Sequence, residues 1–136
     1  MPRDKNAKIG LCSYSYRWAV GNSRFKPRKP MTVEKFIIRA AENGYAGVQI
    51  ADNLPLPSLG KDYLKKIRAL IEENNMFIEL GMRGTDPDLI RKMLEACQLV
   101  GSKILRIVAS PHPTIPNQIV VPPPAEELDL YVENMT

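Results

Sequence analysis

Apolar positions along the chain fall into two alternating patterns. Short continuous runs occur at "KIGLCSY", "AGVQIAD", "FIELGM" and "KILRIVAS". Unbroken apolar runs of this length, bounded by polar or turn residues, are what parallel strands covered on both sides require. Between them the spacing becomes helical. Thr32 is a suitable N-cap for "VEKFIIRAAEN", in which Phe36, Ile37, Ala40 and Ala41 share a face and Gly44 supplies a stop. "KDYLKKIRALIEENN" puts Leu64, Ile67, Leu70 and Ile71 on one side and charges on the other. Asp86 caps a third helix with Pro87 at its first position; Leu89, Ile90, Met93, Leu94 and Cys97 are expected to face inward, and Gly101 ends it. The order β-α-β-α-β-α-β predicts right-handed βαβ units and a parallel sheet in strand order 1-2-3-4. Residues 1–110 form this unit. Residues 111–124 are a Pro-rich segment, and 125–136 read as the opening of a fourth helix, with Leu128, Tyr131, Val132 and Met135 apolar.

The period-two alternation within the strands carries further information. Gln49 points opposite to Val48 and Ile50, Glu79 opposite to Ile78 and Leu80, and Arg106 opposite to Leu105 and Ile107. If the aliphatic set faces the helices, one face of three successive strands is polar. A sheet covered by helices on both faces would be aliphatic there, so a barrel interior fits better. Glu79 and Arg106 are expected to pair across neighbouring strands. As a buried ion pair, it would lose about 3–5 kcal/mol on Arg106→Leu. The alternative, that these groups reach a ligand, stands beside it.

Composition narrows the classes. The chain has 136 residues, is 44% hydrophobic and 25% charged, and carries a net charge of +4. These values suit one soluble domain with a real core. The basic residues are dispersed apart from Arg24, Lys26, Arg28 and Lys29, with no reader motif, so nucleic acid is not an expected partner. No apolar run approaches the ~20 residues that span a membrane. Cys12 and Cys97 lie far apart in apolar runs and read as reduced core residues. The expected location is cytoplasmic.

The first strand ends in Ser13, Tyr14, Ser15, Tyr16, Arg17 and Trp18, the equipment of a binding site. "KIGLCSYSYRW", "GYAGVQIADN", "FIELGMRG" and "GSKILRIVAS" together resemble the N-terminal half of the xylose-isomerase-like TIM barrels, over roughly Lys8 to Ser110. That superfamily includes sugar isomerases, ketose 3-epimerases, inosose dehydratases and endonuclease IV. The resemblance implies an α/β fold, a parallel (β/α)4 half of a TIM barrel with a Pro-rich C-terminal tail. A whole barrel needs ~250 residues, about twice this length.

In such barrels the site lies at the C-terminal ends of the strands. Tyr14, Tyr16 and Trp18 would follow strand one, Asp52 and Asn53 strand two, Arg83 strand three, and Ser110 and His112 strand four. With Gln49, Glu79 and Arg106 they form the expected substrate-binding set. Aromatic faces can cover a sugar ring while polar groups read its hydroxyls, and Arg83 and Arg106 suit a carboxylate, phosphate or oxyanion. Against this, Trp18 can pack under the "GNSRFKPRKP" loop, and Asp52 can cap a turn with Asn53. His112, the single histidine, is either a solvent-facing loop residue or a catalytic base, and one histidine is too little for a zinc cluster of the endonuclease IV type.

Relatives acting on sugars hold a divalent metal (Mg, Mn, Co or Zn) with ligands from later strands. No cofactor is therefore expected on this chain, and a metal only if the missing half is supplied. The expected function is half of a sugar isomerase- or epimerase-like barrel, inactive alone. Its partners would be a sugar and a second half-barrel chain or another copy. The alternatives are a non-catalytic assembly or sugar-binding module, or a truncated fragment.

Overall fold

The computed structural model describes residues 8–21 and 25–109 of the chain. Four strands, β1 (Gly10–Cys12), β2 (Gly47–Ile50), β3 (Phe77–Arg83) and β4 (Leu105–Val108), form one sheet in the order β1-β2-β3-β4, and every pairing is parallel. The helices are α1 (Arg17–Val20), α2 (Val33–Glu42), α3 (Lys61–Glu73) and α4 (Pro87–Val100). The expected α/β half-barrel topology is what is found. The Pro-rich segment, the fourth-helix segment, Ser110 and His112 lie outside the described residues.

The capping signals act as the sequence suggests. The Thr32 hydroxyl accepts from the Lys35 N–H at 3.3 Å, and the Asp86 carboxylate accepts from the Leu89 N–H at 2.8 Å with Pro87 opening the helix. Each satisfies an N–H that has no partner in the first helical turn. Gly101 ends α4 at φ +80°, a left-handed conformation that favours glycine.

Aliphatic side chains on one face of the sheet meet the helices. Val48, Ile50, Ile78, Leu80 and Met82 pack with Phe36, Ile37, Ala40, Leu64, Ile67, Ile71, Met93, Ala96, Cys97 and Val100. Burying one such side chain contributes about 1.5–3 kcal/mol. Two expected inward positions differ: Leu89 and Leu94 are exposed, 37% and 49%, while Ala96 and Val100 are buried. At 100° per residue, Leu94 lies well off the stripe of Met93, Cys97 and Val100 that meets the sheet. Between helices, the Tyr63 hydroxyl of α3 donates to the Glu34 carboxylate of α2. Burial acts to raise the Glu34 pKa, but the Tyr63 hydrogen bond and backbone donors outweigh it and hold the carboxyl below its ordinary value. Burial, then that carboxylate, push the Tyr63 phenol well above its own.

The opposite face is layered. At its N-terminal end the Phe77 ring lies over two glycines. A Cβ on Gly47 would fall 2.4 Å from that ring, and one on Gly10 would fall 2.8 Å from it. Neither glycine can be replaced without moving the ring, so small residues on β1 and β2 make room for a large one on β3. Above it, Cys12, Gln49 and Glu79 stand in register, followed by Gly81 level with Arg106 and Arg83 level with Val108.

Two expectations are corrected on this face. Glu79 and Arg106 do not form the buried ion pair. The Gln49 amide stands between them, its Nε2 donating to Glu79 Oε2 at 3.4 Å and its Oε1 accepting from an Arg106 guanidinium nitrogen at 3.3 Å. The register explains this, because Arg106 sits level with Gly81, one step above Glu79. Arg106 is also exposed, which removes the basis for a large stability loss. Cys12, expected in the core, is only half-buried on the concave face; Cys97 is buried, and both are free thiols.

Candidate functional site

Immediately after β1 the chain winds into a 3-10 turn, Ser13–Tyr16, and then the short helix α1. This turn determines where the polar and aromatic residues go. A helical segment rotates successive side chains by 100–120°, so they diverge. Ser13 is completely buried. Its hydroxyl accepts from the Ala51 N–H at 3.0 Å and donates to Asn53 Oδ1 at 2.6 Å, while Asn53 Nδ2 donates back to the Ser13 carbonyl at 3.2 Å. These bonds clamp the top of β1 to the top of β2.

Tyr14 turns the other way, over the concave face. Its hydroxyl donates to Asp52 Oδ1 at 3.0 Å, and Arg83 Nε lies 3.4 Å from Asp52 Oδ2. Burial, followed by the hydrogen bond and charge of Asp52, pushes the Tyr14 phenol above the ordinary value of 10.0, with Arg83 opposing. Tyr14 is thus a protonated donor throughout the neutral range. The strand ends of β1, β2 and β3 each contribute one member to this Tyr14–Asp52–Arg83 cluster.

The cluster borders a recess of about 280 Å³ lined by Cys12, Tyr14, Asp52, Gly81, Arg83 and Arg106, among others. Its position, above the C-terminal ends of parallel strands, is where barrels of this kind build sites. A larger crevice of about 500 Å³ opens on the helix side, between the β2–α3 connection and α4. Its lining is dominated by apolar groups such as Leu54, Leu56, Met82, Leu89 and Met93, and it shares Asp52 and Arg83 with the polar recess. Convergent polar groups single out the smaller recess as the candidate site.

Of the residues expected to bind substrate, Tyr14, Asp52, Arg83 and Arg106 come together, with Gln49 and Glu79 directly beneath. Asn53 is engaged in the Ser13 clamp. Tyr16 and Trp18 are carried elsewhere by the helical turn. Tyr16 packs edge-on against Phe36 of α2, with ring centroids 5.9 Å apart. Trp18 meets Phe25 at 5.6 Å and the Arg17 guanidinium at 4.9 Å, although 64% of it stays exposed. Trp18 therefore packs with a residue of the "GNSRFKPRKP" loop. Cys12 was overlooked as a lining residue because its apolar neighbours suggested a core position; strict period-two counting from Leu11 would have placed it beside Gln49.

The described residues do not fit a divalent metal. No group of three or more His, Cys, Asp or Glu side chains converges among them. The Asp52 carboxylate is engaged by Tyr14 and Arg83, and that of Glu79 by Gln49. No described helix is long and apolar enough to cross a membrane.

The sequence matches no family model and no curated protein. Among solved structures, the chain is similar to D-psicose 3-epimerase crystallised in the presence of D-fructose, with a TM-score of 0.68 and 15% identity. The match covers 95% of this chain and 46% of the epimerase. The fold is half of a parallel (β/α) barrel. The chain spans about half the length of that neighbour, and at this identity the likeness concerns the fold.

Proposed function

We propose that the chain contributes one wall of a carbohydrate-binding pocket in a sugar isomerase- or epimerase-like barrel. The observation that carries this reading is the Tyr14–Asp52–Arg83 cluster, assembled from three consecutive strand ends over a recess. Hydroxyl, carboxylate and guanidinium groups in such an array can donate to and accept from the vicinal hydroxyls of a sugar. A fold neighbour that is a sugar epimerase supports the choice of ligand class. Any proton transfer at a carbon next to a carbonyl would belong to the completed barrel, whose other half would have to supply any metal ligands, in a cytoplasmic setting. On this half, Tyr14 donates and Asp52 and Arg83 orient. Calorimetric titration with D-fructose tests the reading. Millimolar binding is expected, weakened at least about tenfold by Asp52→Asn. Absence of binding, or full retention in Asp52→Asn, overturns it.

The same reading calls for a second half. Among the described residues β1 and β4 are the sheet's edges, and an uncovered edge pairs readily with another strand. Ile104 and Ile107, 51% and 37% exposed, add apolar surface at the β4 edge. We propose that a second copy or another (β/α)4 half covers both edges and closes the barrel. Sedimentation at micromolar concentration checks the homo-oligomeric form, for which a dimer is expected. A monodisperse monomer that gains no partner overturns it.

A further inference from the structure

Charge is distributed unevenly along the chain. From Lys5 to Val33 there are seven Lys or Arg residues and no carboxylate. Beyond Arg106 the balance reverses: residues 107–136 hold Glu126, Glu127, Asp129 and Glu133 and no Lys or Arg. Glu126, Asp129 and Glu133 are spaced i, i+3, i+7, which is one face of a helix.

The fold gives the basic segment a built surface. The connection after α1 returns along that helix, and the Met31 N–H donates to the Ala19 carbonyl at 2.8 Å. Gly21 permits the return. Its φ is +91°, and a Cβ there would fall 2.9 Å from the Phe25 carbonyl oxygen and 3.0 Å from Pro27 Cδ. Trp18 on α1 meets Phe25 on the returning segment edge-on. Arg17, Trp18, Lys26, Arg28 and Lys29 are all exposed, and none of these four cations makes an ion pair among the described residues. The carboxylates of the adjoining elements are engaged elsewhere. Glu34 accepts from Tyr63, and Asp52 holds Tyr14 and Arg83. The surface therefore offers unmatched positive charge beside an aromatic ring, a combination that a complementary acidic surface satisfies.

Topology says where such a surface would come from. The strands are all parallel in the order β1-β2-β3-β4, so the basic segment after β1 and the acidic segment after β4 leave the same end of the sheet. Within one chain they leave opposite edges, with the ends of β2 and β3 between them. If two copies close a ring about a two-fold axis parallel to the strands, β4 of each copy lies beside β1 of the other. Each seam then brings an acidic segment from one copy to a basic segment of its partner.

We infer that the Arg17–Lys29 surface docks the acidic 126–133 segment of a second copy of this chain, an exchange made twice per dimer. The inference rests on the closed-barrel reading above, chooses the second copy as the other half and names the contact that selects it.

The test is sedimentation of the full chain and of two charge-reversed variants. One carries Arg17→Glu, Lys26→Glu, Arg28→Glu and Lys29→Glu; the other carries Glu126→Lys, Glu127→Lys, Asp129→Lys and Glu133→Lys. The wild-type dimer should weaken at least about tenfold between low and high salt, because exposed charges are screened. Each variant alone should be monomeric with thermal unfolding close to that of monomeric wild type, and an equimolar mixture of the two should form heterodimers. Mixing distinguishes exchange between copies from docking within one chain. If the mixture stays monomeric while a single chain carrying both sets of reversals behaves as wild type, the segment docks on its own chain and the inference is overturned. A dimer indifferent to salt and to both reversals overturns the inference while barrel closure stands. A wild-type chain that is monomeric at every salt concentration overturns both. If oligodeoxythymidine or phosphatidylserine vesicles bind through the four cations while the dimer ignores their reversal, that polyanion is the occupant and the inference is overturned.

Discussion

The two faces of the same four strands differ in kind. On the helix-facing side, Val48, Ile50, Ile78, Leu80 and Met82 meet three amphipathic helices and are almost fully buried. On the concave side, Gln49, Glu79 and Arg106 are partly or largely exposed and joined by long hydrogen bonds of 3.3–3.4 Å, and Arg83 reaches Asp52 at 3.4 Å. Adjacent residues on one strand thus belong to different regimes. One face holds the fold through area removed from water, the other holds an arrangement of charges with little net stability of its own. A substitution's effect should therefore depend more on strand parity than on position along the strand.

The largest break in that comparison is a cavity on the helix side. Phe36 is fully buried against β-sheet aliphatics and Tyr16, so Phe36→Ala should cost about 3–5 kcal/mol in a denaturant melt. A loss below about 1 kcal/mol would show that α2 does not pack as described.

Ser13 sharpens the boundary between the faces. Ser13→Ala leaves the Ala51 N–H and the Asn53 carbonyl oxygen without their partner in a buried setting, and about 1–3 kcal/mol should be lost. Sugar binding should weaken as well, because the clamp sets the spacing between Tyr14 and Asp52. If stability falls while affinity is unchanged, the clamp does not position the site.

The Tyr63–Glu34 bond between α2 and α3 should show itself through pH. The folded-state pKa of Glu34 is lowered from 4.5, so its contribution is full above that value and is lost as pH falls through the folded value. Tyr63→Phe should therefore destabilise by about 1 kcal/mol near neutral pH and converge with wild type in acid. Equal losses at neutral and acidic pH would contradict this linkage.

The smallest effect is expected on the concave face. Arg106→Leu should change stability by less than about 1 kcal/mol, because the side chain is exposed and bonds to a neutral amide. A loss of several kcal/mol would restore the buried ion pair with Glu79.

Most of the fold was legible in the sequence because strand and helix periods differ sharply and the caps are local. Thr32, Asp86–Pro87 and Gly101 act through neighbours three or four residues away, a range that a single sequence displays. The side of each strand was also legible, and it gathered Gln49, Glu79 and Arg106 on one face. Register was not. Which residue of β4 lies level with Glu79 depends on strand offset, and one step converts an expected ion pair into a contact through Gln49. The aromatics after β1 failed for a related reason. "SYSYRW" carries no strong helix signal, and the 3-10 turn that scatters Tyr14, Tyr16 and Trp18 is stabilised by the distant contacts of Ser13 with Ala51 and Asn53.

The central claim is that the concave face meets ligand while the helix-facing side only supports it. Mapping backbone amide shifts during a titration with D-fructose tests it most directly. The account predicts changes at Tyr14, Ala51–Asn53, Gly81–Arg83 and Arg106, with Ile37, Ile67 and Cys97 unmoved. Shifts centred on the apolar crevice at Leu56, Leu89 and Met93, or no shifts at all, would contradict it.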